Sequence, residues 1–131
     1  MIEIRSPEHL LSDLGYGDVS IHCDVKQGLV SIIALHSTQA GPAIGGCRLS
    51  HYETFDAALT DALRLGHGMT LKAAIHALAH GGGKSVILAP KIIQNRQSFF
   101  ESFAEHVNQL EGRYITAVDS GTTQEDMEYI A

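Results

Sequence analysis

Apolar positions near the start of the chain change from a helical spacing to a strict alternation. Residues 6–15 carry leucines behind a candidate cap at Ser6 and predict a short helix. Residues 29–36 are continuously apolar and partly β-branched, which predicts a strand. Residues 18–25 predict a strand paired with it as a hairpin, because one side of the alternation holds Val19, Ile21, Cys23 and Val25.

Glycines interrupt the apolar pattern in the middle of the chain. Residues 38–47 contain three glycines and a proline and predict a shaped loop. A helix is predicted to begin after the cap Thr54, with an apolar stripe formed by Phe55, Leu59, Ala62 and Leu63. The glycines at positions 66 and 68 predict a break in that helix. A second helix over about residues 70–79 then stops at the glycines 81–83.

The last third of the chain alternates between apolar strands and helices. Residues 85–89 and 114–118 predict short buried strands, and residues 97–110 have apolar positions at helical spacing. Thr122 and Glu125 have the form of a capping box and open a final short helix. The alternation predicts an α/β domain, and the leading hairpin makes its sheet mixed, mostly parallel and flanked by helices.

Composition narrows the class of protein further. The 131 residues, 44% of them hydrophobic, suit one domain with a buried core. A net charge of −6 with nine scattered Lys and Arg disfavours a nucleic-acid partner. No apolar run approaches the roughly 20 residues that cross a bilayer. The first residues also lack the basic segment followed by an apolar stretch that is typical of a signal peptide. We therefore expect a cytoplasmic protein without a membrane partner, in which Cys23 and Cys47 stay reduced.

Three motifs for phosphate or metal binding fail on spacing. Lys84 follows glycine as in a P-loop, but Leu78 stands where the first glycine belongs, and the order of helix and strand is reversed. No glycine cluster has the third glycine of a dinucleotide fingerprint, so residues 1–131 predict no Rossmann domain. His76 and His80 lack a third ligand and the glutamate of a metalloprotease motif, so we predict no metal site.

Two lysines and an aspartate stand out, each with a plain structural alternative. Lys72 lies among small apolar residues and is either a ligand-binding group or a snorkelling lysine at a helix edge. Lys84 opens an apolar strand after three glycines, which allows a general acid/base, but the pattern slightly favours an exposed lysine because most lysines are exposed. Asp119 ends a predicted strand, where ligands gather in α/β sheets, or it caps a helix.

Five blocks in order resemble the dimerisation, or substrate-binding, domain of the glutamate/leucine/phenylalanine/valine dehydrogenase family. They are GPAIGGCR at 41–48, DALRL at 61–65, GMTLKAA at 68–74, GGGKSVI at 81–87 and GRYITAVDSGTT at 112–123. The resemblance implies reversible oxidative deamination of an L-amino acid to a 2-oxo acid and ammonia, with NAD as hydride acceptor. It also implies a homo-oligomer, at least a dimer.

The resemblance further implies a role for each matched residue. Lys72 would bind the substrate α-carboxylate, Lys84 would be the general acid/base, and Asp119 would move protons at the amine nitrogen. The substrate pocket would be lined by Gly45, Gly46 and Met69.

Ile44 predicts the class of substrate. Glutamate-specific relatives carry a lysine directly before the two glycines, and an isoleucine there leaves a glutamate carboxylate unpaired. We therefore expect an apolar, branched-chain substrate, as in leucine dehydrogenase-like members. Since the family's Rossmann domain is absent from residues 1–131, the chain alone is expected to be inactive. The alternative is a stand-alone, non-catalytic binding or dimerisation domain that retains the pocket.

Overall fold

The computed structural model describes residues 7–131 and contains four helices and five strands within them. The helices are α1 (Pro7–Asp13), α2 (Phe55–Ile75), α3 (Arg96–Asn108) and α4 (Gln124–Ile130). The strands are β1 (Asp18–Asp24), β2 (Leu29–Ser37), β3 (Ala43–Ser50), β4 (Gly81–Leu88) and β5 (Tyr114–Val118).

One mixed sheet organises these elements, in the strand order β1-β2-β4-β3-β5. β1 and β2 form the predicted antiparallel hairpin, with Ile21 opposite Ile32. β4 is antiparallel to β2, whereas β3 is parallel to both β4 and β5. The predicted α/β class and mixed sheet are confirmed, although parallel and antiparallel pairings occur equally often.

Each face of the sheet is buried by its own pair of helices, because neighbouring strand residues point to opposite faces. Ile32 and Ala34 of β2 pack with α1 and α2, and Ile33 and Leu35 pack on the other side. That second core is filled by Phe99, Phe100 and Phe103 of α3, and α4 packs against α3. The two cores hold β4 and β3 in the middle of the sheet, where Lys84 lies.

The predicted loop over residues 38–47 is wrong from Ala43 onward, since β3 begins there. The glycines that suggested a loop lie inside the strand, where neighbouring backbone leaves no space for a side chain. A Cβ at Gly45 would overlap the carbonyl oxygen of Gly83 on β4. The hydroxyl of Tyr114 donates to the Gly45 carbonyl at 2.7 Å. The three glycines 81–83 likewise belong to β4, which starts earlier than the predicted strand.

The predicted break at the glycines of positions 66 and 68 is also wrong, because α2 runs without interruption to Ile75. Its predicted cap is confirmed, since the Thr54 hydroxyl accepts from the Ala57 N–H at 3.0 Å. Gly66 serves packing, because a Cβ there would lie 2.5 Å from the Tyr16 hydroxyl. That hydroxyl donates to the carbonyl of Leu63 and ties the α1–β1 connection to α2.

The capping box of the last helix lies one residue later than predicted. The Thr123 hydroxyl accepts from the Asp126 N–H at 3.2 Å, and the Asp126 carboxylate accepts from the Thr123 N–H at 2.9 Å. Asp126 is buried and also pairs with Arg96 of α3 at 2.7 Å, which fixes α4 on α3. The candidate cap Ser6 of the first helix lies outside the described residues.

His106 at the end of α3 is buried between the helix and the hairpin. Its ring nitrogens share hydrogen bonds with the hydroxyls of Ser20, at 2.8 Å, and Ser31, at 2.7 Å. The ring of His22 stacks on it with centroids 5.3 Å apart. Burial, with a smaller effect of His22, lowers the pKa of His106 to about 4. His106 is therefore neutral in the folded protein at cellular pH.

We expect His106 to make the chain less stable as the pH falls. The unfolded chain takes up a proton near pH 6.5, and the folded chain does so only near pH 4. Stability is therefore full above pH 6.5, and the free energy of unfolding falls by about 2–3 kcal/mol on the way to pH 4. Urea unfolding at a series of pH values measures this loss.

Two variants assign the pH dependence of unfolding to His106. His106→Gln should be less stable at pH 7.5, because Ser20 and Ser31 lose a partner, but its unfolding free energy should change less between pH 6.5 and pH 5. His51→Gln, at an exposed position, should retain the wild-type pH dependence. A His106→Gln protein with the wild-type slope would contradict this assignment.

The described residues contain neither a membrane-spanning helix nor a metal-binding cluster. Across residues 7–131, no helix combines the length and the apolar character needed to cross a membrane. The same residues contain no group of three His, Cys, Asp or Glu side chains arranged to hold a metal ion. Both Cys23 and Cys47 are free thiols, one exposed and one buried.

Candidate functional site

Lys84 lies in the middle of β4 with its side chain on the face of the sheet that carries α2. It shares this face with Val86, two residues further along the strand. Only 6% of Lys84 is exposed, so the alternative of a solvent-exposed lysine is wrong. A buried ammonium group needs an anionic partner.

Asp119 supplies that partner from the carboxyl end of β5. Its Oδ2 lies 2.5 Å from the Nζ of Lys84. The helix-capping alternative does not describe this side chain, since Thr123 caps α4. The backbone N–H of Asp119 donates to the Thr122 hydroxyl at 2.9 Å, and that hydroxyl donates to the Cys47 carbonyl at 2.8 Å. These bonds fix the loop after β5 to β3, and they bring Asp119 next to Lys84.

Gly46 of β3 lies directly beneath the Lys84–Asp119 pair. A Cβ added at Gly46 would lie 2.8 Å from the Cβ of Asp119 and 3.2 Å from the Nζ of Lys84. Any side chain here would displace the ion pair, so glycine is required by this close approach. Gly45 was predicted with it to line the substrate pocket, but its own side-chain direction faces the backbone of Gly83.

The charge state of Asp119 follows from its neighbours. Burial by itself raises the pKa of the carboxyl, but the hydrogen bond and charge of Lys84, a backbone hydrogen bond at Ser120 and the charge of Arg48 outweigh it. The pKa of Asp119 therefore lies below its ordinary value. At neutral pH this residue is a carboxylate that can accept a proton, and the adjacent ammonium can donate one.

The other predicted site residues lie on α2 and β3. Met69 and Thr70 of α2 cross β4 at Gly82, two residues before Lys84, so Met69 is near the same part of the sheet. Ile44 is half-buried on β3, two residues before Gly46. Lys72 is exposed in the last turn of α2. In the described part of the chain, no hydrogen bond or ion pair joins the Lys72 side chain to the Lys84–Asp119 pair.

Sequence reasoning assigned no role to three side chains that extend the ion pair. The Nε of Arg48 lies 3.2 Å from Oδ2 of Asp119, and its Nη1 lies 3.2 Å from Oδ2 of Asp61 on α2. The Tyr52 hydroxyl donates to the same Asp61 oxygen at 2.5 Å. Arg48 and Asp61 both occur in the motif blocks, but only their contact across the fold indicates a function.

The site opens on the part of the sheet that α2 leaves uncovered. The helix packs mainly on β4 and β2, whereas Ile115 of β5 is 48% exposed. The Lys84–Asp119 pair lies at this boundary, with Asp119 more exposed than Lys84. An acid and a base in contact, one buried and one reachable, can exchange protons with a small molecule bound on the open face.

Comparison with known proteins identifies the family. Residues 17–131 match the family model described as "Glu/Leu/Phe/Val dehydrogenase, dimerisation domain". The match covers far more than half of the chain, and the chain belongs to this family.

Individual relatives agree with the family assignment. Over 107 residues the chain is 49% identical to leucine dehydrogenase from Bacillus subtilis (strain 168), covering 82% of the chain and 29% of that protein. It is 45% identical to phenylalanine dehydrogenase from Caldalkalibacillus thermarum (strain TA2.A1) over 103 residues, 79% of the chain and 28% of the relative. The chain thus spans about a third or less of the curated relatives that it matches.

A solved structure shows the same architecture. The crystal structure of L-tryptophan dehydrogenase from Nostoc punctiforme superposes with a TM-score of 0.88 at 36% sequence identity. The superposition covers 94% of this chain and 37% of the tryptophan enzyme. The predicted fold, that of an amino-acid dehydrogenase N-terminal domain, is therefore confirmed.

Proposed function

We propose that this chain is the substrate-binding domain of an NAD-dependent dehydrogenase that oxidatively deaminates an apolar L-amino acid to a 2-oxo acid and ammonia. The observation that carries the proposal is the buried contact of Lys84 with Asp119 over Gly46. Family membership supports it, because the relatives with the same domain are named as amino-acid dehydrogenases.

Lys84 and Asp119 take the two proton-transfer roles in this proposal. Lys84 is the general acid/base that acts with water at the α-carbon, since it is buried and its Nζ contacts a carboxylate. Asp119 exchanges protons with the amine nitrogen, because its carboxylate is ionised and reaches the open face. A proton that passes from the Lys84 ammonium to the Asp119 carboxylate leaves a neutral amine and a neutral carboxylic acid, so the net charge of the pair does not change.

Five further residues would bind the substrate in this proposal. Lys72, which is exposed in the last turn of α2, binds the α-carboxylate as a point charge. Gly46, Ile44 and Met69 lie around the ion pair on β3 and α2 and line the pocket, together with the backbone of Gly45.

NAD would be bound by another part of the complete protein. The Rossmann fingerprint for a dinucleotide is a glycine-rich turn between a strand and a helix amino terminus. The connections that precede α2, α3 and α4 in the described residues do not have that sequence. Residues 7–131 therefore carry no Rossmann fingerprint, and in this proposal NAD is bound mainly elsewhere in the complete protein. We also propose that the complete protein is a homo-oligomer, since its family domain is a dimerisation domain. A cytoplasmic location stays a prediction.

Assay of the complete protein tests the proposed function. With NAD present, we expect ammonia and a 2-oxo acid from at least one of L-leucine, L-valine, L-isoleucine and L-phenylalanine, and no turnover of L-glutamate. Reduction of NAD is followed by absorbance, and ammonia is measured separately. A folded, oligomeric protein that deaminates none of these amino acids would overturn the proposal and favour the non-catalytic binding domain.

The side chain of Ile44 should determine which substrate is accepted. Ile44→Lys places an ammonium group in an apolar pocket, so kcat/KM for leucine should fall by about 100-fold or more. Activity on glutamate should rise, because its side-chain carboxylate gains a partner. Steady-state kinetics with both amino acids measure the change in preference.

A matched variant separates the effect of the pocket from that of added charge. Ile92 is 76% exposed in the segment between β4 and α3, so Ile92→Lys adds the same charge far from the proposed pocket. This variant should retain the wild-type preference. Equal losses in the two variants would show that Ile44 does not contact the substrate.

A further inference from the structure

The side chains of Arg48, Asp61 and Tyr52 form a connected polar group next to the proposed site. Arg48 follows Gly46 by two residues on β3, so its side chain lies on the same face as the Lys84–Asp119 pair. Its guanidinium spans two carboxylates, Asp119 after β5 and Asp61 on α2, each at 3.2 Å. This single side chain links the proposed proton-transfer group to the helix layer.

On the α2 side of Arg48, one oxygen of the Asp61 carboxylate accepts from two donors. Arg48 and the Tyr52 hydroxyl both donate to Oδ2 of Asp61. Burial, and then the hydrogen bond to Asp61, raises the pKa of Tyr52, so its hydroxyl stays protonated and remains a donor. Asp61 is therefore fixed from two sides, and it prevents the guanidinium from turning away from Asp119.

The contact between Arg48 and Asp119 determines how the Asp119 carboxylate is oriented. Arg48 and Lys84 both contact Oδ2 of Asp119, from different strands. Two cationic donors on one oxygen leave the other oxygen, Oδ1, as the atom that exchanges a proton with a ligand. A lysine in place of Arg48 has one charged nitrogen and cannot contact both carboxylates in this way.

We propose that Arg48, held by Asp61 and Tyr52, is a positioning residue that orients the Asp119 carboxylate for proton transfer. The proposal rests on the proposed function, since it assigns Asp119 the proton-transfer role. Arg48 itself need not touch the substrate. It acts through Asp119, and so its loss should change the behaviour of that carboxyl group.

The test in the complete protein is the pair of variants Arg48→Gln and Tyr52→Phe. For Arg48→Gln we expect kcat to fall on the order of 10- to 100-fold with little change in KM, because a misplaced proton acceptor slows chemistry more than binding. The acidic limb of the pH–rate profile should move to higher pH, because Asp119 loses a neighbouring positive charge. Tyr52→Phe should change both quantities in the same direction, by less.

Arg64→Gln is the matched control, since it removes an exposed arginine from α2 without touching the polar group. It should retain the wild-type kcat and pH profile. Arg48→Lys restores the charge, and it should recover part of the pH shift but not the full kcat. An Arg48→Gln enzyme with wild-type kcat and pH profile would overturn the proposal.

Carbon NMR titration of the Asp119 carboxyl separates this proposal from the proposed function. It is performed on the 131-residue chain and needs no catalysis. The midpoint should rise in Arg48→Gln and stay at the wild-type value in Arg64→Gln. An unchanged midpoint in Arg48→Gln refutes the positioning role. A raised midpoint, with no deamination by the wild-type complete protein, upholds the contact and refutes the proposed function.

Discussion

Replacing Lys84 with alanine in the complete protein should lower kcat for deamination by about 10²- to 10⁴-fold, the usual contribution of a general acid/base. KM should change by much less, since in the proposed mechanism Lys84 acts on protons and Lys72 binds the carboxylate. Asp119 retains Arg48 as a cationic partner in this variant, so the fold should survive. Steady-state kinetics with L-leucine and NAD measure the effect.

Lys91→Ala is the control for this experiment. Lys91 is exposed in the connection after β4, and its removal changes the net charge by the same amount. It should leave kcat within a factor of about two of the wild-type value, as surface substitutions usually have small effects. Undiminished deamination by Lys84→Ala, with circular dichroism showing a native fold, would remove Lys84 from the mechanism.

Gly46→Ala should lower the rate of deamination on the order of 100-fold without removing any proton-transfer group. The new methyl carbon would lie 2.8 Å from the Cβ of Asp119 and 3.1 Å from the carbonyl oxygen of Val118, and neither atom belongs to a flexible chain end. The Asp119 side chain must therefore shift, which changes its contact with Lys84. Displacement of a catalytic group by about 1 Å costs on the order of 100-fold in rate. The measurement is kcat, together with the unfolding free energy.

Gly68→Ala makes the same chemical change where there is room for it. A Cβ at Gly68 of α2 meets no atom within 4 Å. The variant should keep its activity and gain up to about 1 kcal/mol in stability, because alanine is the better helix former. If Gly46→Ala retains full activity, the ion pair does not need the geometry described above.

Local sequence patterns predicted the elements that depend on neighbouring residues. The alternation in β1, the continuous apolar run of β2 and the cap of α2 at Thr54 are each visible within a few positions. The same holds for β5, whose bounds 114–118 agree with the structure. Periodicity and capping are short-range properties, and a linear reading detects them well.

The errors occurred where distant segments approach each other closely. β3 was predicted as part of a shaped loop because residues 38–47 contain three glycines and a proline. At Gly45 and Gly46, however, the carbonyl of Gly83 and the side chain of Asp119 occupy the side-chain directions. Gly66 suggested a break in α2, yet it accommodates the Tyr16 hydroxyl. The residue type alone does not distinguish a glycine that is required by a close contact from one that is required by a turn.

The candidate site was likewise predicted only in part from the sequence. The sequence by itself determined that Lys84 and Asp119 are unusual for their surroundings, and the motif blocks placed the chain in its family. Only the tertiary structure decided that the two residues touch, that Arg48 and Asp61 extend them, and that no hydrogen bond or ion pair joins Lys72 to them in the described chain. The reason is physical. Burial, ion pairing and close approach depend on distances in space, which sheet pairing between segments far apart along the chain creates.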